Sequence, residues 1–554
     1  MDKFEIARAL DEISRYLELA EPSNKFKALA YERAARALRS QDRDVHDLIA
    51  SGELTKTAGI GKATGAVIEE LARDGRSPYL DELRARFPPG IFELLRVPNL
   101  GLKKIAILHE TLGVGSLDDL EAAARANKLT TLKGFGAKTQ EKILEGIDKA
   151  RHRESRFLLP IALEAAENVR EQLASIDEID DAEVSGSIRR RLEVVRNINI
   201  VIATKKRDAV IAALLRVVEN AAKVDDDTVK GILNGEMDVW FHLCAPADFG
   251  STLLRTTGSV EFVEAFGRIP KAQDEADVFT RAKLPFVPPE RRETADDLRR
   301  KRAPKLVELK HLRGTFHVHT TFSDGRNTVL EMLGAANERG LQYVGLSDHS
   351  PAAHYAGGLS EERLRQQWRE IDKSLPEVAP LRVFRGTEAD ILPDGTIDYG
   401  ERVLAKFDFV IASIHSRFQM SKDEMTERIL LALDDPHVTF LGHLTGRKLL
   451  SRDGYSVDFD RVFEKAGARG VMIEINGNPN RLDLDWRHVP RALSFGVRFA
   501  INPDAHSIRE YGALMTGTWV ARKAGLGPKE IFNTRDADEV AEFLAERKRG
   551  AAGG

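Results

Sequence analysis

His317 and His319 are separated by one apolar residue, and Asp324 follows them in a Ser-Asp-Gly turn. On a short strand over 315–320, a side-chain period of two sends both imidazoles to one face. Two imidazoles with a carboxylate in the next loop make half of a site for a divalent cation of the kind that activates water. A His-x-His pair alone is more often a surface or core feature. Recurrence changes that reading: His349, Glu388, His415, His443, Asp504 and His506 stand downstream, so that six of the chain's 14 histidines belong to the set.

Nearly all of these residues close an apolar run. Strands are predicted at 315–319, 343–347, 382–388, 409–415, 439–442, 471–475 and 498–501, with helices at 330–339, 363–373, 424–433 and 460–469. Such alternation implies parallel βα units, and this many imply an α/β barrel. Barrel active sites sit where the strands end, so ligands distant in sequence can converge there.

The segment 313–554 resembles the polymerase and histidinol phosphatase (PHP) domain, and each of its motif positions is filled here. The resemblance implies three divalent ions. His317, His319, Glu388 and Asp504 would hold one, Asp324, His349 and His506 a second, and Glu388, His415 and His443 the third, with Glu388 bridging. Mixed imidazole and carboxylate donors suit Mn²⁺, Zn²⁺ or Fe²⁺ better than Mg²⁺ or Ca²⁺, and the family's bacterial polymerase members favour Mn²⁺. Cation-activated water would attack phosphorus in line, so no protein nucleophile is needed beyond the ligand set. Asp348 reads either as a helix cap, the favoured role, or as a residue that orients one of the histidines. Of the predicted loop residues His354, Arg417, Arg447, Asn476, Asn478 and Arg481, the three arginines are the candidate phosphate contacts.

The N-terminal region reads as helices, with Ile6, Leu10, Ile13 and Leu17, then Phe26, Leu29, Ala30 and Ala34, at helical spacing. A Gly-apolar-Gly turn with a following lysine occurs at Gly59, Gly61 and Lys62, and again at Gly134, Gly136 and Lys138. A middle copy keeps Gly101 and Lys103 but has Asn99 where the first glycine would stand. Glycines permit close approach, and amides at a helix start can hold a phosphate. Such contacts grip a nucleic-acid backbone without reading bases. The repeats resemble the helix-hairpin-helix DNA-binding motif.

From residue 157 the pattern becomes helix 161–173, strands 182–185 and 197–203, helix 209–219 and strand 237–243. Around Gly186, Ser187 and Arg190 it resembles the nucleotidyltransferase palm of family X DNA polymerases. Bacterial members of that family also carry the helical repeats and a C-terminal PHP domain, so the resemblance spans nearly the whole chain. The family's palm holds two Mg²⁺ on an Asp-x-Asp pair and a third aspartate. Here Asn197 and Asn199 replace the pair and only Asp238 remains. A neutral amide oxygen cannot bridge two cations as a carboxylate does. Thr257, Gly258 and Ser259 resemble the nucleotide-pocket turn, but Val263 stands where its asparagine is expected. Templated synthesis is therefore not expected. Gly186, Ser187 and Arg190 either still hold a phosphate or serve only as turn residues.

The 554 residues, 42% hydrophobic and 31% charged, describe a soluble multidomain protein, and a net charge of −4 argues against wholesale polyanion attraction. No apolar run is long enough to cross a membrane, and the lone Cys244 excludes a disulfide framework and suits the cytoplasm. The expected order is a helical DNA-binding domain (1–80), helix-hairpin-helix fingers (81–156), a degenerate α+β palm (157–245), an abbreviated thumb (246–289), a linker with a solvated charged helix (290–312), and the PHP barrel (313–554). The expected activity is that of a metal-dependent DNA phosphodiesterase, trimming 3′ ends and cutting at abasic sites during repair. Its partner would be gapped, 3′-ended or abasic DNA, met by a monomer. The competing expectations are a gap-filling polymerase, a small-molecule phosphomonoesterase of the histidinol-phosphatase kind, and a nonenzymatic DNA-end scaffold.

Overall fold

The three glycine turns share one local geometry. Ile60, Leu100 and Phe135 each donate a backbone N–H to the carbonyl three residues back, at 3.0–3.1 Å. Each of these apolar side chains is buried in the helical core, which leaves the flanking glycines outside. Gly59 and Gly134 take left-handed φ values of 95° and 93°, a conformation that costs glycine nothing. Helices Lys62–Asp74, Leu102–Leu112 and Ala137–Arg151 start immediately after the turns. Gly61, Gly101 and Gly136 face open space, and Lys62, Lys103 and Lys138 are exposed beside them. Asn99 lies outside the described residues. The computed structural model describes residues 3–20, 25–39, 45–88, 90–97, 100–132, 134–151, 156–174, 176–233 and 237–552.

These turns belong to the first of two units, Met1–Glu154, built from helices alone. Helix Lys3–Ala20 buries Ile6, Leu10, Ile13 and Leu17 as expected. Helix Lys25–Arg39 buries a different stripe from the expected one: Ala28, Tyr31, Ala34, Ala35 and Leu38 are inside, while Phe26 is 86% exposed. Two overlapping apolar stripes share this short helix, and the one carrying Tyr31 and Leu38 packs.

The second unit is Ser155–Gly554. Its first sheet contains β1 (Asp181–Val184), β2 (Asn197–Ala203), β3 (Glu219–Asp225), β4 (Thr228–Leu233) and β5 (Met237–Cys244), ordered β1-β2-β5-β4-β3. The hairpin of β3 and β4 takes residues that the sequence reading left unassigned between helix and strand. Next comes an all-parallel sheet: β6 (Gly314–Val318), β7 (Tyr343–Leu346), β8 (Arg382–Asp390), β9 (Phe409–Ser413), β10 (Val438–Leu441), β11 (Met472–Asn476) and β12 (Phe499–Asn502). Every predicted barrel strand is present, in sequential order. The Phe316 ring on β6 lies 4.9 Å from those of Phe409 on β9 and Phe440 on β10. Those strands are not its neighbours, so the aromatic rings fill the barrel interior.

Closure between β6 and β12 does not use a regular ladder. The buried Asn533 amide donates to Gly314 O (3.0 Å) and Ile501 O (2.6 Å), and its oxygen accepts from Ile501 N (3.0 Å). Nearer the strand ends, a bridge joins Val318 to Ala505.

The charged run after residue 289, expected as a solvated linker helix, is internal in its first part, while residues 299–303 are exposed as expected. Arg292 is fully buried, paired with Glu275 at 2.5 Å and packed over the Phe279 and Phe286 rings. Glu290 pairs with Arg522, and Glu293 with both Arg190 and the buried Lys523. Partners for these charges come from three distant segments, which a local reading of the run cannot supply. The segment thereby fastens the palm to the barrel helix Ala513–Ala524.

Replacing Asn533 with alanine removes three seam hydrogen bonds, those to Gly314 O and Ile501 O and that from Ile501 N, and leaves Ile501 O only the longer contact from Thr315 Oγ1 at 3.4 Å. At about 1–3 kcal/mol for each buried orphan, Asn533→Ala should lower the barrel's unfolding midpoint by several degrees, as read by a thermal melt.

Candidate metal centre

Strand alternation alone does not bring His317 and His319 together. His317 has a left-handed φ of 60°, and the pairing of β6 with β7 shifts register between Thr315 and Val318. This kink lets consecutive residues both turn inward, Phe316 into the aromatic core and His317 into the polar site above it. His319 lies beyond the strand, where its N–H donates to Ala505 O at 2.9 Å. Ala505 N donates in turn to His317 O at 3.1 Å. Asp504 is also left-handed, with φ 53°. A non-glycine residue in this region costs about 1 kcal/mol or more, and such strain concentrates at functional sites.

Glu388, at the end of β8, stands at the centre. Its carboxylate lies 2.9 Å from His443, 3.0 Å from His349, 3.2 Å from His415, 3.3 Å from His317 and 3.6 Å from His319. Asp504 lies 3.4 Å from His317 and 3.5 Å from His319. Asp324 lies 3.3 Å from His506 and 3.6 Å from His349. The structure therefore brings all nine sequence-selected side chains into one cluster. Their donor atoms form four overlapping groups: His319, Asp324, His349 and His506; His317, His443 and Asp504; His317, His319 and Glu388; and His349, Glu388 and His415. These groups cut across the partition implied by the resemblance, because His443 also sits with His317 and Asp504, and His349 with Glu388 and His415.

The donor set fits divalent cations. His317 Nε2, both ring nitrogens of His319 and His349 Nδ1 are buried without a hydrogen-bond partner. Several of the imidazole–carboxylate separations, such as 3.3–3.6 Å around His317 and His319, are long for hydrogen bonds. They match the roughly 3.4 Å between two donors that each lie about 2.1 Å from a shared ion.

Carboxylates that the sequence reading passed over orient these rings. Glu474 accepts from His317 Nδ1 at 2.6 Å and from His443 N at 2.8 Å. Asp390 lies 2.7 Å from His415 Nδ1. Such partners fix the tautomer and the direction of the ring. The signal was present: Glu474 is a lone carboxylate inside an apolar strand, and Asp390 follows Glu388 at the same-face spacing of two. Asp348 is no helix cap. It is buried and accepts from Thr320 N and Oγ1, Ser323 N and Oγ, and Gln367, so it shapes the loop between His319 and Asp324.

Family comparisons agree with this architecture. Residues 315–478 match the PHP domain, residues 1–77 a helix-hairpin-helix domain, and residues 91–149 a SAM-like helix-hairpin-helix tandem. The DNA polymerase/3′-5′ exonuclease PolX of Bacillus subtilis (strain 168) is 36% identical over 98% of this chain and 99% of its own length. The chain belongs to the PolX family. The chain is also similar to a probable phosphatase of Caldanaerobacter subterraneus subsp. tengcongensis, 30% identical over 43% of this chain and 93% of that protein. A probable phosphatase of Thermoanaerobacter sp. (strain X514) is 31% identical over 43% and 96%.

The palm of this PolX-family chain differs sharply from the barrel in its chemistry. Asn199 donates to Asn197 Oδ1 at 2.8 Å, and its own oxygen lies 3.0 Å from His242 Nε2. Asp238, paired across the sheet with Asn197, is neutralised by Lys230 at 2.8 Å. Among the described residues, every group suited to a metal lies in the barrel. Gly186 is left-handed (φ 67°), and a Cβ there would strike the Asn199 amide at 2.9 Å. Arg190, a candidate phosphate contact, is already engaged by Glu293 at 2.9 Å and by Thr257 O at 2.7 Å. Ser187 and Asn197 line a cleft of about 470 Å³ that reaches Leu449 of the barrel.

The three candidate arginines of the barrel separate. Arg481 lines the metal cavity, also about 470 Å³, and approaches Asp504 at 3.4 Å. Arg447 is held by Asp485 at 2.5 Å and by the carbonyls of Arg481 and Leu482, and it does not line the cavity. Arg417 is exposed but outside the cavity lining. Lys448, Asn478 and Asn480 line it instead.

Charge in the cluster is strongly polarised. Burial opposes protonation of His317, yet Glu474, Glu388 and Asp504 hold that imidazole well above its ordinary range. Burial likewise opposes ionisation of Glu388 and Asp504, but the imidazoles keep both well below the usual carboxylate range. His319 is pushed down to about 3 by burial and by His506 and His349. Against burial, Glu388 and Asp390 raise His415, and Asp324 and Asp504 raise His506, each to about 9.

A proton on either ring competes with a cation for the same nitrogen. Below about pH 9 His415 and His506 are protonated in the cation-free site, so cation uptake must release protons, and affinity should rise as pH increases toward that value. Calorimetric titration with Mn²⁺ in buffers of different ionisation enthalpy should show proton release at pH 7 and weaker binding at pH 6.

Proposed function

We propose that this chain is a divalent-cation-dependent DNA phosphodiesterase that removes nucleotides from 3′ ends, with incision at abasic sites as a related activity, in DNA repair. The observation that carries this reading is the convergence of six imidazoles with Asp324, Glu388 and Asp504 in one cluster, seven of whose members line an open cavity. His317, His319, Asp324, His349, Glu388, His415, His443, Asp504 and His506 are the proposed ligands of three ions, with Mn²⁺, Zn²⁺ or Fe²⁺ suited to the mixed donor set and Mn²⁺ favoured by the resemblance to the family's bacterial polymerase members. The B. subtilis relative, whose name carries both polymerase and 3′-5′ exonuclease, supports the substrate class.

Bound cations would supply Lewis acidity that lowers the pKa of a water molecule and neutralises charge on the phosphodiester. The chain does the rest. Glu388 shares its two oxygens among neighbouring ligand groups and so keeps them at a fixed separation. Glu474 and Asp390 hold His317 and His415 in one tautomer, each with Nε2 turned toward Glu388. Arg481, beside Asp504, is placed to meet a nonbridging phosphate oxygen, and Lys448 adds positive charge at the cavity wall. The helix-hairpin-helix turns supply backbone amides and Lys62, Lys103 and Lys138 for the phosphates of the duplex. In the palm, two amides and a lysine-paired aspartate cannot assemble the two-cation site of a polymerase. That region would therefore serve as a scaffold or as a binder of DNA ends.

His317→Ala and Asp504→Ala should each reduce 3′-end removal at least about 100-fold, measured on a labelled gapped oligonucleotide with Mn²⁺. Duplex affinity by fluorescence anisotropy should stay within about twofold, because the helix-hairpin-helix contacts lie elsewhere. Unchanged nuclease rates would refute the ligand assignment. Primer extension with Mg²⁺ or Mn²⁺ should give no product above background in the natural protein. Product equal to that of an intact family X polymerase would overturn the scaffold reading of the palm.

A further inference from the structure

Tyr355 is, among the described residues, the one strongly exposed aromatic of the barrel, with 71% of its surface open. Isolated exposed rings are common and need no function. The position of this one is specific: it lines the metal cavity, with its ring centroid 6.2 Å from those of both His349 and His415.

The turn that carries it is firmly held. Ala353 and Ala356, on either side of His354 and Tyr355, are buried. Ala352 N donates to the Asp398 carboxylate at 2.7 Å, Ala356 N to Ala353 O at 3.0 Å, and Gly357 N to His354 O at 3.2 Å. Gly358 packs so closely that a Cβ would fall 1.9 Å from Ser350 O. An apolar ring is thus presented by a fixed turn to the solvent at the mouth of a charged site. Such a ring has little to offer a phosphate, but its face matches the π-face of a nucleobase, whatever the base. A base is joined to its phosphate through a single sugar, so a phosphodiester entering the cluster carries its base within reach of a ring this close to His349 and His415.

We propose that Tyr355 is a stacking platform for the terminal nucleobase of the strand being cut, and that it selects an unpaired nucleic-acid end over a bare sugar phosphate. The inference rests on the phosphodiesterase reading above and adds a determinant of specificity to it. A paired terminal base must first leave its own stack, so the platform favours frayed, mismatched or single-stranded ends.

The test uses the full-length protein with Mn²⁺ and two labelled single strands, identical except that one ends in a normal nucleotide and the other in an abasic tetrahydrofuran residue. The natural protein should show a KM lower by about 5- to 100-fold for the base-bearing end, the range expected of one stacking contact. Tyr355→Ala should erase that gap, while Tyr355→Phe and Tyr355→Trp should keep it. A gap that persists in Tyr355→Ala, or that vanishes equally in Tyr355→Phe, would overturn the proposal. If the natural protein cuts neither strand, the phosphodiesterase reading fails, and stacking is decided without turnover. A strand ending in 2-aminopurine should then be quenched on binding to the natural protein and to Tyr355→Trp but not to Tyr355→Ala. Equal quenching by all three would reject the platform.

Discussion

A carboxylate almost without access to solvent, Glu388, is surrounded by five imidazoles, and the polar end of the barrel is arranged around that arrangement. Removing a charged group from water costs several kcal/mol unless opposite charge or hydrogen bonds replace the solvent. Here the replacement comes from residues at the ends of different strands, so the site exists only when the barrel is closed. The strained backbone at His317 and Asp504 belongs to the same constraint. Both residues sit in the left-handed region because neighbouring hydrogen bonds between their two segments leave no alternative course.

The load is carried from beneath. Phe316, Tyr343, Phe384, Phe409, Phe440 and Phe532 fill the barrel interior below the polar cluster. Burial of such rings is the largest favourable contribution available to the domain, and it offsets the cost of desolvating the cluster above. Phe316 and His317 are adjacent in sequence, so a single kink divides the apolar support from the chemistry. Asn533 completes the wall where no strand pair does, which keeps the first and last strands, and with them His317 and Asp504, at a fixed distance.

The palm and the barrel have diverged in electrostatic character while remaining fastened together. In the palm, Asn197, Asn199 and His242 form a chain of hydrogen bonds, and Asp238 is paired with Lys230. Nothing in that arrangement draws in a divalent ion. The pairs Glu290–Arg522 and Glu293–Lys523 tie the segment after residue 289 to the barrel helix, and Glu293 also holds Arg190 beside the Gly186-Ser187 turn. Lys523 also donates to Arg190 O at 2.9 Å.

The sequence by itself determined the order of elements and the identity of the cluster residues, because both are local properties. Apolar runs of strand length ending in histidine or aspartate mark barrel strands and their active ends, and Gly-apolar-Gly turns mark helix starts. The tertiary structure decided everything that depends on a partner remote in the chain. It engaged the Arg447 and Arg190 guanidinium groups with internal carboxylates and carbonyls, buried Arg292 against Glu275, and gave Asp348, Asp390 and Glu474 their orienting roles. It also converted the simple alternation expected of His317 and His319 into a left-handed kink. A charge or a backbone angle takes its value from what surrounds it, and those surroundings are assembled only when the barrel closes.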